Sequence, residues 1–178
     1  MATNTTTMKV PLLDLRAQYD TIRAETDDAV RRVMESCHFI GGPEVGGLEE
    51  EVARYSHTPH AVACASGTDA LLIAMWALGI GPGDEVISPA YSFFATAGTV
   101  ANNAATPVFV DVDPRTYNLD PHRLEAAITP RTKAVVAVSL FGQCCDLPAL
   151  KATCDKHQLY LIEDAAQSIG SEWEGKRS

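Results

Sequence analysis

The chain has 178 residues, 46% hydrophobic and 21% charged, which is enough for a domain with its own core and excludes a disordered chain. A formal net charge of -9 argues against a nucleic-acid or anionic-membrane partner. The opening MATNTTTMKV lacks the apolar stretch of a signal peptide, no apolar run reaches the ~18 residues of a membrane span, and the five irregularly spaced cysteines fit free thiols, so a cytoplasmic protein is expected.

Asp14 is placed to cap a first helix running to about Ser36. Ile22, Thr26, Ala29, Val30 and Val33 give that helix an apolar stripe, and Arg23, Arg31 and Arg32 lie off it as a solvated face. Residues 39–47, with four glycines and Pro43, predict a loop, and helical periodicity resumes over 48–56. From His60 onward strands and helices alternate. Strands are predicted at 60–65, 85–88, 107–112, 133–140 and 159–162. Helices are predicted at 68–78, 94–103 and 147–157, with a short one that Asp120 caps and Pro121 opens. Residues 79–84, GIGPGD, form a turn, and 173–178 are polar. Repeated β-α-β units imply an α/β fold, a three-layer sandwich with a mostly parallel sheet. The expected division is an amino-terminal helical segment over 1–58 and an α/β domain over 59–178.

Three segments carry chemistry. Residues 159–162 read as a strand buried on both faces, with Glu163 and Asp164 at its carboxyl end, where open α/β sheets bind ligands. A buried carboxylate needs a positive or hydrogen-bonding partner, and a protonated pyridine nitrogen would serve. The plainer alternative is a strand-end Asp that caps the next turn. Ala166 is small enough to lie flat against an aromatic ring. At Ser66-Gly67-Thr68-Asp69 a strand passes into a helix. Gly67 allows close approach of a ligand, and the free N–H groups of the helix start suit a phosphate. Plain N-capping by Ser66 or Thr68 is the alternative. At Pro89 to Thr96 an aromatic ring follows another strand end. It could stack on a planar cofactor, or Phe93 and Phe94 could pack in the core. A phosphate seat, an aromatic face and an acid, each just after a strand, suit pyridoxal 5′-phosphate (PLP). Asp164 would keep its ring nitrogen protonated and the ring an electron sink.

The ordered segments PLLDLRAQY, FIGGPEV, ASGTDAL, GDEVISPAYSFFATA, PVFVDVDPRTYNLD, ITPRTKAVVAVSLFGQ and IEDAAQS resemble the DegT/DnrJ/EryC1/StrS sugar aminotransferases from about Val10 to Ser178. That resemblance implies the large domain of a fold-type I PLP enzyme, in its amino-terminal part. It implies a phosphate held by Gly67 and Thr68, with Asp69 joining through its backbone. Phe93 would stack on one ring face and Ala166 on the other. Asp164 would pair with the ring nitrogen, and Gln167 would reach the phenolic oxygen. The implied substrates are a nucleotide-linked keto sugar, such as the acetamido uronic acids of surface polysaccharides, and glutamate. The implied assembly is a homodimer with shared sites.

Family aminotransferases hold PLP as a Schiff base on a lysine in a segment after EDAAQS. None of Lys9, Lys133, Lys151, Lys156 and Lys176 matches that position, so the lysine is expected beyond Ser178 and this stretch is expected to be inactive. No catalytic residue is therefore assigned within it. A nicotinamide domain fits poorly, because Gly79-x-Gly81-x-Gly83 precedes a strand. Two other readings stay open: a keto-sugar dehydratase of the same family, with histidine for lysine, and a non-catalytic half-domain that binds a ligand or partner. No metal site is expected, since Cys144, Cys145, Cys154 and His157 lack the C-x₂₋₄-C spacing of zinc ligands.

Overall fold

A computed structural model of the chain describes residues 10–178; Lys9 lies outside the described residues. Two compact units divide it, one ending at Glu50 and the other running from Glu51 to Ser178. The break falls inside a helix and not at the expected 58/59 boundary.

In the first unit, α1 spans Leu15–Ser36, and Asp14 caps it by accepting the Ala17 N–H at 3.0 Å. No residue of α1 is buried, and Ile22 and Val30 on its apolar stripe are exposed. α2 spans Pro43–Tyr55 and corrects the predicted loop. Proline suits a first helical position and Glu44 complements the helix dipole, so the helix starts early and carries Gly46 and Gly47 within it.

The second unit holds a parallel sheet of β1 (Glu85–Pro89), β2 (Thr106–Val110), β3 (Thr132–Val138) and β4 (Tyr160–Asp164), in the order β2-β1-β3-β4. Alternate residues feed two cores, as the period of two requires. Val86, Ala134, Val136 and Val138 meet Leu71 and Met75 of α3 (Gly67–Ala77) and Val100 of α4 (Phe94–Asn102). Ile87, Val135 and Ala137 meet Leu124 of α5 (Pro121–Leu124) and Leu150 and Cys154 of α6 (Leu147–Lys156). The expected three layers result. Each fully buried Met75, Ile87, Leu124 or Leu150 contributes about 1.5–3 kcal/mol.

Two expectations need correction. Residues 60–65 form no strand, and the parallel sheet consists of β1 to β4 among the described residues. β4 is not buried on both faces: it is the sheet edge, half-buried, with Tyr160 49% exposed. At the chain's end, β5 (Glu172–Trp173) and β6 (Lys176–Arg177) form a hairpin whose turn residues Glu174 and Gly175 both have positive φ. The Arg177 guanidinium stacks 4.0 Å over the Tyr55 ring and donates to the Tyr55 carbonyl at 2.7 Å. That contact lies within the second unit, between the last turn of α2 and the hairpin. Among the described residues no helix is long and apolar enough to cross a membrane.

Glu85 fastens the amino end of the sheet. Thr129 Oγ1 donates to its Oε2 at 2.5 Å, and Arg131 Nε donates to its Oε1 at 2.9 Å. Between Glu85 and Val86 the β1–β3 register slips past Lys133, which is left exposed. The Thr129 and Arg131 bonds hold the Glu85 carboxyl below the usual glutamate range. A depressed folded-state pKa adds stability above the unfolded-state value, and that stability is lost as pH falls through the folded-state value. Glu85→Gln should therefore lower the melting temperature at pH 7. The gap to the wild type should close in melts taken well below pH 4.5, the ordinary glutamate value. A gap that is independent of pH would remove the charge from this account.

Candidate functional site

From β1 the chain crosses to β2 on one side of the sheet and then to β3 on the other, which makes the carboxyl ends of β1 and β3 a topological switch point. Crevices at such points bind ligands in open α/β sheets. A cleft of about 350 Å³ opens there, a volume in the range of small-molecule sites. Its walls come from the start of α3 (Gly67, Thr68, Leu71), the loop and helix after β1 (Ser92, Phe93, Ala95), the end of β3 (Val138, Leu140) and the end of β4 (Asp164, Ala166, Gln167). Six of the seven residues singled out from sequence meet in this one cleft. Asp69 is the exception and does not line it.

The start of α3 explains that exception. Ser66 is extended and caps the helix: its Oγ accepts the Asp69 N–H at 3.1 Å and donates to Asp69 Oδ2 at 3.0 Å. The capping alternative thus belongs to Ser66, and the Asp69 N–H is engaged by it. The Thr68 hydroxyl takes no part in the cap, and Thr68 lines the cleft beside a helix start whose first N–H groups have no partner within the helix. A Cβ built on Gly67 would stand 4.0 Å from that of Ala166, so a longer side chain would fill the gap between these walls.

Phe93 and Phe94 are 72% and 84% exposed, which overturns core packing as the explanation of that pair. Phe93 instead presents an open aromatic ring to the cleft. Asp164 and Glu163 point to opposite faces, as neighbours on a strand must. Glu163 Oε1 accepts from Ser139 Oγ at 2.6 Å and Ser178 Oγ at 2.7 Å, outside the cleft. Asp164 Oδ1 accepts the Ala166 N–H at 3.3 Å, so it does cap the following turn. Its Oδ2 accepts from Thr96 Oγ1 at 3.1 Å, and Thr96 Oγ1 lies 2.8 Å from Ser92 Oγ. Sequence reasoning passed over Ser92 and Thr96. The signal was slight: the two hydroxyls flank Phe93, Ser92 just before the cap of α4 and Thr96 in its first turn. Gln167 lines the cleft, and its Oε1 accepts the Phe141 N–H at 2.9 Å, which leaves the amide NH₂ available as a donor.

No cationic side chain lines the cleft among the described residues. Lys133 sits at the amino end of the sheet, Lys151 pairs with Asp155, Lys156 pairs with Glu125 at 2.5 Å, and Lys176 is exposed on β6. Burial pushes the Cys145 thiol up to about 12 and the Cys154 thiol to about 11, so neither is a ready nucleophile. Among the described residues no three His, Cys, Asp or Glu side chains converge to hold a metal.

The cleft fits a flat, anionic cofactor on four observations. Free donors stand at a helix start, an open ring forms one wall, small residues form another, and a carboxylate lies at the base.

The family model described as the DegT/DnrJ/EryC1/StrS aminotransferase family matches residues 20–178. The chain is 52% identical over 169 residues to the UDP-2-acetamido-2-deoxy-3-oxo-D-glucuronate aminotransferase of Pseudomonas aeruginosa, covering 95% of this chain and 47% of the relative. It superposes on the crystal structure of S. venezuelae DesV in complex with a ketimine intermediate with a TM-score of 0.94 at 47% identity, covering 97% of this chain and 46% of that one. It also superposes on NtdA from Bacillus subtilis with bound cofactor PMP, with a TM-score of 0.86 at 37% identity, covering 98% and 40%. The chain spans about half the length of the curated relatives it matches.

The division of labour at the start of α3 is open to test. Ser66→Ala should cost about 1 kcal/mol of stability, as lost caps do. Thr68→Ala should stay within about 0.5 kcal/mol, as for a side chain with no structural bond. Urea unfolding of both variants measures this, and equal losses would return part of the cap to Thr68.

Proposed function

Because the chain belongs to the DegT/DnrJ/EryC1/StrS aminotransferase family, we propose that it is the cofactor-binding part of a PLP-dependent enzyme that aminates a nucleotide-linked keto sugar. The observation that carries this reading is the convergence of Gly67, Thr68, Phe93, Asp164, Ala166 and Gln167 on one cleft at the switch point. A 3-oxo uronic acid on UDP is the preferred sugar, after the name of the Pseudomonas relative. Glutamate is the proposed amino donor, and a homodimer the proposed working form.

PLP, when bound, supplies an electron sink for chemistry at an amino-bearing carbon. The chain's own residues supply the setting. The N–H groups at Gly67 and Thr68 and the Thr68 hydroxyl would hold the phosphate, with the helix dipole aiding them. Phe93 would cover one face of the ring and exclude water from it, and Ala166 would leave room on the other. Asp164 would hold a proton on the ring nitrogen, and the free NH₂ of Gln167 would donate to the phenolic oxygen. Moving a proton at the substrate carbon needs a base, and no lysine or histidine lines the cleft among the described residues. We therefore assign this stretch to cofactor binding, and the base to a lysine supplied from outside it. That observation also keeps the non-catalytic reading as the second one.

Two measurements check the proposal. Asp164→Ala should weaken retention of PLP by about 1.5–3 kcal/mol, the worth of a charge-assisted hydrogen bond. Equal affinity in the variant would sink the role given to Asp164. The chain by itself, given PLP and borohydride, should show only scattered labelling of surface lysines by peptide mass mapping, and no turnover of glutamate with a keto sugar. A stoichiometric adduct on one lysine, together with turnover, would make that lysine the base and overturn the assignment to binding only.

A further inference from the structure

We infer that Thr96 is a positioning residue that aims Asp164 at the cofactor's ring nitrogen through a directed chain of hydroxyls starting at Ser92, an inference that rests on the cofactor reading above. Thr96 is 1% exposed on α4, and its Oγ1 donates to Asp164 Oδ2 at 3.1 Å. Ser92 Oγ lies 2.8 Å from the same Thr96 oxygen, a contact in which either atom could donate. The chemistry of the groups fixes the direction. A carboxylate only accepts, and a threonine hydroxyl has one proton. With that proton given to Asp164, Thr96 has only lone pairs left for Ser92, so Ser92 is the donor. The order runs from Ser92 O–H to Thr96 O–H to Asp164 Oδ2, and each bond polarises the next.

The geometry gives this chain a purpose beyond satisfying a buried hydroxyl. Asp164 Oδ1 is held separately by the Ala166 N–H at 3.3 Å. The two oxygens are therefore fixed from two different elements, α4 and the turn after β4, and the plane of the carboxylate is set by both. Threonine is stiff at χ1, and here its backbone is locked in a helix. A charge-assisted hydrogen bond weakens steeply off its axis, so a carboxylate free to swing would engage a ring nitrogen less well. Ser92 and Asp164 both line the cleft, and Thr96 joins them from beneath.

The test compares PLP with its 1-deaza analogue, in which a C–H replaces the ring nitrogen. Dissociation constants for both are measured on the chain itself, on Thr96→Val, which keeps the shape and drops the hydroxyl, and on Thr96→Ser, which keeps the hydroxyl. Circular dichroism checks the fold of each. Thr96→Val should bind PLP roughly threefold to tenfold more weakly, the net worth of one hydrogen bond, and bind the analogue unchanged. Thr96→Ser should restore PLP binding. An equal loss for both ligands, or no loss for PLP, would reduce Thr96 to a packing role and overturn the inference. A wild type that binds PLP no better than the analogue overturns the engagement of Asp164 with the ring nitrogen, and a folded wild type that binds neither overturns the cofactor reading; both take this inference with them. Should Thr96→Val not fold, Ser92→Ala serves instead, with a smaller loss expected for PLP only and the same overturning outcomes.

Discussion

Ile87 of β1 lies beside Val135 of β3, and Val138 of β3 lies beside Asp164 of β4. These parallel pairings set the spacing of everything above them. Each strand sends alternate side chains to opposite cores, so a slip of one residue would turn Val86 and Ile87 to the wrong faces. The same slip would move the loop after β1 along the sheet, and with it Phe93, Ser92 and Thr96 relative to Asp164. The cleft is thus a product of register. Its residues come from four places in the chain, and they meet because three strands end at matched heights beside the start of α3.

Much of this was legible in the sequence because its signals are local. Asp14 and Asp120 cap the helices they were expected to cap, since a cap is decided within one turn. The strands of the sheet announce themselves by apolar runs between turns. What escaped depended on neighbours far along the chain. Residues 60–65 have the composition of a strand, but membership of a sheet is settled by ladder pairing along the whole segment, which is not a local property. An apolar run of four cannot say whether it is a central or an edge strand, which is why β4 was read as buried. Gly46 and Gly47 suggested a loop, yet Pro43 could open a helix before them. Ser92 and Thr96 were passed over because hydroxyls near a helix start have many ordinary uses.

The alternatives at the three segments turned out not to exclude one another. Asp164 caps a turn with one oxygen and leaves the other to Thr96. At the start of α3 the cap falls on Ser66, while Thr68, two residues on, lines the cleft. A helix start needs one good acceptor near its third N–H, and once Ser66 supplies it Thr68 is released from that duty. At Phe93 the core reading falls, because a side chain 72% exposed is not a core residue.

The edge position of β4 has a consequence for its amides. Asp164 gives its carbonyl to the Ser139 N–H at 3.2 Å, so its backbone groups turn toward β3. By the alternation of a strand, those of Tyr160 and Ile162 turn the same way, and those of Leu161 and Glu163 turn outward. Protection from hydrogen exchange along β4 therefore takes a period of two, slow and fast by turns, where a strand flanked on both sides would be slow throughout. The outward pair is also the point at which another strand could dock and silence the alternation. The exchange pattern of five consecutive amides thus records whether this edge is covered.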